Sequence, residues 1–237
     1  MTNLFTVAHV AKLHEIQSAR LRRNLPGIGK DVMELIARLE DGGVAGKETD
    51  ERTRQAKVLW DLGFGRELGF KKFVDYLATI PEVIPHNDHP DLFDQLVLVD
   101  RRLGIVTPSK LLGLTYHPED EKTLVNHYDR KYPDVEFIWA QDGRRNRNKS
   151  IRACRDAFVK DVEIGLTAIE GLCIYAQDRT VLDESDDHAI DLPGAVHVGD
   201  HGQAACLGRD GYGRVRLDWL IDVYARPVCG SASRRDC

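Results

Sequence analysis

No stretch of this sequence approaches the roughly 20 consecutive apolar residues that a membrane-spanning helix requires. Its first residues, Met1-Thr2-Asn3-Leu4-Phe5, show neither the basic segment nor the apolar segment of a secretory signal. Cysteine is sparse: the five cysteines are widely spaced and form no CxxC pair, which is typical of free thiols in a reducing compartment. These absences predict a cytoplasmic protein without a membrane partner.

Several signatures of nucleotide binding and catalysis are missing as well. There is no Walker A sequence, and the glycines of Gly63–Gly69 miss the GxGxxG spacing by one residue. Gly230–Ser233 is not a GxSxG elbow, and Cys173 and Cys206 lie in apolar surroundings where a thiol is expected to be inert. The motifs therefore identify no catalytic residue and no cofactor.

The composition is that of a globular protein that buries a core, with 42% apolar and 30% charged residues. Its formal net charge of −5 shows that the surface as a whole is not built to bind nucleic acid. Any affinity for a polyanion must therefore come from a local group of basic residues.

The organisation of the chain changes near residue 65. Apolar residues recur at helical spacing before that point, and the last of three predicted helices runs from Asp50 to Leu62, where Gly63-Phe64-Gly65 ends it. We predict a helical N-terminal extension over residues 1–65 and an α+β core domain over residues 66–237. The oligomeric state is not indicated.

Within the core domain the periodicity becomes mixed. Helices are predicted from Phe70 to Ile80, from Pro118 to about Arg130, and from a capping box at Thr167 and Glu170 to about Leu182. The short apolar run Leu96–Val99 predicts a buried strand, and Thr107-Pro108 has the form of a helix N-cap followed by proline.

The C-terminal third has the alternation of β-structure. Gln203–Leu207 and Arg214–Trp219 flank a glycine-bearing loop, which predicts an antiparallel hairpin. Val215, Leu217 and Trp219 alternate with charged residues, so one face of the second strand should be buried. The fold class is therefore α+β: a helical N-terminal part, then a mixed α/β region ending in an antiparallel hairpin.

The densest chemistry lies in a basic loop that follows the apolar run Val135–Ala140, a predicted buried strand. Residues 142–160 hold seven basic and two acidic residues, whereas residues 178–200 hold one basic and seven acidic residues. Guanidinium forks and amides at the end of a strand suit an anionic ligand. The candidate ligand-binding residues are Arg144, Arg145, Asn146, Arg147, Asn148 and Lys149. In the alternative, the cations pair with Asp183, Glu184, Asp186 and Asp187.

Two groups of residues are weak metal candidates. His86, Asp88 and His89 lie between prolines in a predicted loop, where capping of a following helix by Asp88 is the alternative. A second group has spacings that match no zinc motif and consists of His188, His197, His201, Cys206 and Cys229.

Four segments together resemble a bacterial family of uncharacterised proteins, a domain of unknown function. They are Gln141–Arg147, Gly165–Leu172, Asp191–Gly194 and Cys229–Ser233. The resemblance covers about residues 66–235 and leaves the helical N-terminus outside it. It implies a bacterial origin and one integrated domain after residue 65, but no mechanism.

Three functional hypotheses remain. The first is a binding module that holds a phosphate-bearing metabolite, a nucleotide or a nucleic-acid backbone at Arg144–Lys149. The second is a metal-dependent hydrolase that uses the His and Asp residues of His86–Asp91 or His188–His201. The third is a structural or interaction protein.

Overall fold

The computed structural model of this protein describes residues 50–83, 87–160, 162–182 and 187–235. The chain divides into two compact units, Met1–Asp50 and Glu51–Cys237. The two helices predicted before residue 50 lie outside the described residues, and so does His86. No helix in the described ranges is long and apolar enough to cross a membrane.

The described residues of the second unit contain both helices and antiparallel sheets, which confirms the α+β class. The helices are α1 (Glu51–Leu62), α2 (Phe64–Glu67), α3 (Phe73–Leu77), α4 (Val106–Leu111), α5 (Ile151–Ala157) and α6 (Ala168–Gln177), with 3-10 turns at Arg144–Asn146 and Arg179–Leu182. The strands are β1 (Gln95–Asp100), β2 (Leu124–Asn126), β3 (Val135–Gln141), β4 (Glu163–Gly165), β5 (Ala189–His197), β6 (Asp200–Arg209), β7 (Val215–Ile221), β8 (Cys229–Ser231) and β9 (Ser233–Arg235).

The strands form two sheets. Sheet 1 has the order β1-β3-β9-β4, and all of its pairings are antiparallel. Sheet 2 has the order β2-β5-β6-β7, and β8 joins it by pairing with β5 in parallel. The predicted hairpin is confirmed as β6 and β7, with Ala205 opposite Trp219 and Leu207 opposite Leu217.

Helix α6 contacts both sheets and is the centre of the core. It packs against β1 of sheet 1 and against β5 and β6 of sheet 2, and all of its residues from Ala168 to Ala176 are buried. Its predicted capping box is present: the Glu170 carboxylate accepts hydrogen bonds from the backbone N–H and the hydroxyl of Thr167, at 2.7 and 2.9 Å. The α-helix ends at Gln177, earlier than the predicted Leu182, and a 3-10 turn follows.

The segment Cys229–Arg235 belongs to both sheets, because β8 and β9 are separated only by Ala232. The Ala232 N–H donates to the Asp191 carbonyl of β5 at 2.9 Å, and its carbonyl accepts from the Leu166 N–H at 3.2 Å. The four segments that carry the family resemblance pack against one another here. Gly143 lies against Gly230, and Gly165 lies against Pro193 and Gly194, so closely that a Cβ at either glycine would overlap its neighbour.

Helix α1 packs as part of the core, whereas we predicted that it belongs to the N-terminal extension. The Gln55 side chain is fully buried and binds the outer edge of β1: its amide donates to the Leu96 carbonyl at 2.6 Å and accepts from the Leu98 N–H at 2.5 Å. The Gln55 side chain therefore satisfies backbone groups on the edge strand β1 that no neighbouring strand pairs with. The compact unit consequently begins at Glu51 and not at residue 66.

The helix predicted from Pro118 to Arg130 is wrong. That region forms turns and the short strand β2, which pairs with β5. Glu121 does complement a helix N-terminus, but the helix is α4: its carboxylate accepts from the backbone N–H groups of Ile105 and Val106, at 2.6 and 2.8 Å. The acid-rich turn correctly indicated that a carboxylate caps a helix N-terminus, but the helix that it caps is α4 and not one that begins at Pro118.

A buried ionic network joins α6 to sheet 1. Glu170 is fully buried, and its Oε1 accepts from Arg101 at 2.6 Å and from Arg234 at 2.9 Å. Arg234, itself 2% exposed, also contacts Glu136 of β3 at 2.6 Å. Burial by itself raises the pKa of Glu170, but the charges of Arg234 and Arg101 outweigh it and hold that pKa below its usual range.

We expect Glu170→Gln to lower the free energy of unfolding by about 3 kcal/mol at neutral pH, because it removes one carboxylate partner from the buried Arg234 and from the partly buried Arg101. The lowered pKa of Glu170 stabilises the fold above the unfolded value of about 4.3, and this contribution is lost as the pH falls through the folded value. The difference in unfolding free energy between the unaltered protein and Glu170→Gln, measured by urea unfolding, should therefore become smaller as the pH is lowered. A difference near zero at neutral pH would show that the network does not stabilise the fold.

Candidate functional site

The basic loop leaves β3 through a tight turn at Asp142 and Gly143. Gly143 has a φ of +93°, a left-handed conformation that glycine adopts without strain. A Cβ at this position would overlap the Gly230 carbonyl oxygen of β8. The chain thus passes directly over β8 before the 3-10 turn Arg144–Asn146 begins, and this close approach sets the direction of the loop.

The three arginines of the loop contact different partners and do not converge on one point. Arg144 forms an ion pair with Asp142 and donates to the Val181 carbonyl at 3.3 Å. Arg145 forms an ion pair with Glu163 of β4, and Arg147 donates to Nδ1 of His188 at 3.2 Å. Arg144 and Arg147 are linked through Asp142 and His188, since His188 Nε2 contacts the Asp142 carbonyl at 2.9 Å, whereas Arg145 has a different partner.

The amides and the lysine of the loop also have distinct positions. Asn146 is buried, and its side chain donates to the Ser231 carbonyl at 2.8 Å. Lys149 is exposed, and its ammonium donates to Oδ1 of Asn146 at 3.2 Å. Asn148 is exposed with a φ of +59°, and its backbone N–H donates to the Arg226 carbonyl at 3.2 Å. Asn146 holds the loop on β8, and Lys149 lies at its surface.

Much of the positive charge of residues 142–160 is balanced by acids outside the predicted 183–187 segment. Arg152 and Arg155 both form ion pairs with the buried Asp222, at 2.9 Å each. Of the acids in the predicted segment, only Asp187 lies within the described residues. Among the described residues, Lys149 and Lys160 have no carboxylate partner.

A cleft of about 270 Å³ opens beside the loop. Its polar lining is Arg145, Asn146, Lys149 and Glu163, and its other walls are Leu92, Cys154, Ala157 and Phe158. Glu163 is occupied by its own contacts, because its Oε1 accepts from both Arg145 and the Ser233 hydroxyl. Two cations and one engaged carboxylate leave the lining with a net charge of +1. We call this feature the basic cleft.

The first group of metal candidates does not form a cluster in the described residues. Asp88 forms an ion pair with Arg235, and the backbone N–H of His89 donates to the Asn87 side chain at 3.0 Å. No helix follows, so the alternative in which Asp88 caps a helix is wrong. The segment is a turn held by Asn87, whose amide donates to the Phe93 carbonyl at 2.5 Å.

The second group is divided, because its histidines and its cysteines lie in different surroundings. His188 is buried between Arg147 and the Asp142 carbonyl, and the His197 ring lies 4.8 Å from that of Trp219. Cys206 and Cys229 approach each other, and their neighbour is Asp191, a residue that sequence reasoning did not include. The spacing of these three residues matches no motif, and only the strand pairings bring them together.

Asp191, Cys206 and Cys229 form a thiol–carboxylate cluster whose side chains interact. Burial raises the pKa of Asp191 to about 6. The hydrogen bond between the two sulfurs, with burial, raises the pKa of Cys206, and the same hydrogen bond lowers the pKa of Cys229. Cys206 also hydrogen-bonds Asp191, and the charge of Arg226 lowers the pKa of Asp191 and that of Cys229.

Comparison of the chain with protein-family models, with curated proteins and with solved structures finds no match in any of the three. The chemistry of the basic cleft and of the thiol–carboxylate cluster must therefore be inferred from the residues themselves.

We expect Gly143→Ala to lower the free energy of unfolding by about 2 kcal/mol or more, because it adds a steric overlap with β8 to the backbone strain. Gly113→Ala is a matched control: Gly113 also has a positive φ, of +74°, but a Cβ there meets nothing within 4 Å. Urea unfolding of both variants isolates the contact between the loop and β8. If Gly143→Ala and Gly113→Ala lose the same unfolding free energy, the contact between the loop and β8 contributes little to stability.

Proposed function

We propose that the protein binds a small anionic ligand, of the class of phosphate-bearing metabolites, in the basic cleft. The supporting observation is that Arg145 and Lys149 line one cleft while much of the neighbouring positive charge is balanced by ion pairs. Within the described part of the chain the Lys149 ammonium donates to a neutral amide alone, so it can exchange solvent for a ligand there without breaking an ion pair.

The two cations supply different kinds of contact. Arg145 donates to Glu163 through one terminal nitrogen, and its other N–H groups have no partner among the described residues. A guanidinium held on one side by a carboxylate keeps its orientation and presents its remaining donors to a ligand. The Lys149 ammonium adds a point charge across the cleft. Hydrogen bonds to a charged group are each worth about 1.5–3 kcal/mol.

The size of the cleft limits the ligand. Its 270 Å³ lies just below the range of ligand pockets, which span about 300–1,000 Å³. A phosphate ester with a short organic part fits this volume, and the apolar side chains of Ala157 and Phe158 provide a surface for that part. The proposal therefore favours a small metabolite over a nucleotide or a nucleic-acid backbone.

The test is the affinity of the full-length protein for inorganic phosphate and for glycerol phosphate, measured by isothermal titration calorimetry. Lys149→Ala should weaken binding about tenfold or more, since it removes one charge-assisted contact. Arg145→Ala should weaken it as well and also lower stability, because Glu163 loses its ion pair. Arg145→Lys should restore the charge but only part of the affinity, since an ammonium lacks the planar fork.

The matched control is Lys160→Ala, which removes the same charge from an exposed lysine nearby that does not line the cleft. Binding by that variant should equal that of the unaltered protein. Equal weakening by Lys149→Ala and Lys160→Ala would mean that phosphate responds only to overall charge, and the proposal would fail. The proposal would also fail if the unaltered protein bound neither probe.

A further inference from the structure

The thiol–carboxylate cluster is assembled by three neighbouring strands of sheet 2. Strand β5 carries Asp191 and pairs with β6 on one side and β8 on the other. Asp191 lies directly opposite Cys206, and Cys229 of β8 lies opposite Ala189, two positions along β5. One carboxylate oxygen and the two sulfurs all lie within 4.8 Å of one another.

All three side chains face away from α6. Ile190 and Leu192 belong to the hydrophobic core, so Asp191 between them points to the other face of the sheet. The three residues are nevertheless buried, at 3%, 7% and 4% exposure for Asp191, Cys206 and Cys229. Ligating atoms are thus gathered in a place that water scarcely reaches.

The Asp191 carboxylate is only partly satisfied: Cys206 is its hydrogen-bond partner, and Arg226 acts on it through its charge. Its Oδ1 is buried and accepts no hydrogen bond, and it forms no ion pair with any lysine or arginine among the described residues. A buried carboxylate oxygen with neither a hydrogen bond nor a directly paired positive charge is disfavoured. A cation between this oxygen and the two sulfurs would supply that charge.

A disulfide does not account for the two cysteines. Because β6 and β8 flank the same strand, their backbones lie two strand spacings apart, about 9–10 Å. A disulfide requires Cα atoms within about 7 Å of each other. The side chains converge over β5 while the backbones remain apart, which suits ligation of an ion lying between them.

The donor set indicates which ion. Two thiolates and one carboxylate suit zinc, which binds sulfur at about 2.3 Å and carboxylate oxygen at about 2.0–2.2 Å in a tetrahedron. The edges of such a tetrahedron are about 3.8 Å long, so separations of up to 4.8 Å need to close by about 1 Å or less. Binding the ion would release the protons of both thiols.

Three protein ligands leave one tetrahedral position open. A cavity of about 130 Å³ adjoins Cys206 and Cys229, and it is also lined by Arg209, Arg216 and Arg226. The lining also includes Asp218, which forms an ion pair with Arg216 at 3.4 Å, so the cations outnumber the carboxylates. The open position therefore faces a small space of net positive charge, which would favour a water molecule, a hydroxide or a small anion as the fourth ligand.

We propose that Asp191, Cys206 and Cys229 bind a zinc ion whose fourth coordination position opens to this cavity. The proposal is independent of anion binding in the basic cleft, because none of the three ligands lines that cleft.

The experiment uses the full-length protein, reduced, stripped of metal with a chelator and then titrated with Zn²⁺ or Co²⁺. One equivalent should bind per chain, and the cobalt form should show the visible spectrum of a tetrahedral site with a thiolate charge-transfer band. Asp191→Asn, Cys206→Ala and Cys229→Ala should each weaken zinc binding at least tenfold. Cys173→Ala removes a buried cysteine of α6, outside the cluster, and should leave binding unchanged.

A measurement on the unaltered protein decides the question even where a variant fails to fold. Bound Zn²⁺ should protect Cys206 and Cys229 from alkylation, mapped by mass spectrometry, and leave the reactivity of Cys173 unchanged. Failure to bind zinc at micromolar concentration would overturn the proposal. An octahedral cobalt spectrum, or a disulfide between Cys206 and Cys229, would overturn it too.

Discussion

The fold depends on a single buried carboxylate, that of Glu170. One of its oxygens completes the capping box of α6, and the other accepts hydrogen bonds from Arg101 and Arg234. Arg101 follows β1 and Arg234 lies in β9, so the central helix is attached by its first turn to two strands of sheet 1. A buried charge of this kind tolerates few alternative arrangements, because each displaced partner would leave an unpaired ion. The network therefore fixes the position of α6 relative to sheet 1.

Local signals in the sequence predicted the elements whose causes are local. The strand after Asp134 and the capping box at Thr167 depend on neighbouring residues, and both are present. Long-range pairing was not predictable in the same way. Glu121 caps a helix that begins fifteen residues earlier, and β9 inserts between β3 and β4, which are distant from it in the chain. Short segments such as Cys229–Ser231, made of small residues, lack the alternation that identifies a strand.

The candidate sites show the same division. The basic loop was visible in the sequence because its charges are close together. The partners of Arg144 and Arg147 were not visible, and neither of these arginines lines the basic cleft. Asp191, Cys206 and Cys229 were not recognised as a group because only the register of β6 and β8 with β5 unites them. Ser231 of β8 contacts both sites. Its carbonyl accepts a hydrogen bond from Asn146 of the basic loop, and it lies opposite Asp191 in the pairing of β8 with β5.

The position of Cys229–Arg235 has a consequence for how the chain acquires its structure during synthesis. Strand β9 lies between β3 and β4, so sheet 1 cannot be completed on the ribosome until this segment has emerged. Until then β3 and β4 each lack a neighbour, and Glu170 lacks Arg234. Contacts between residues far apart in sequence slow folding, because the intervening loop must be closed first. The nascent protein therefore carries two unpaired strand edges from the synthesis of β4 until that of β9, and unpaired edges expose a polypeptide to aggregation and to chaperones.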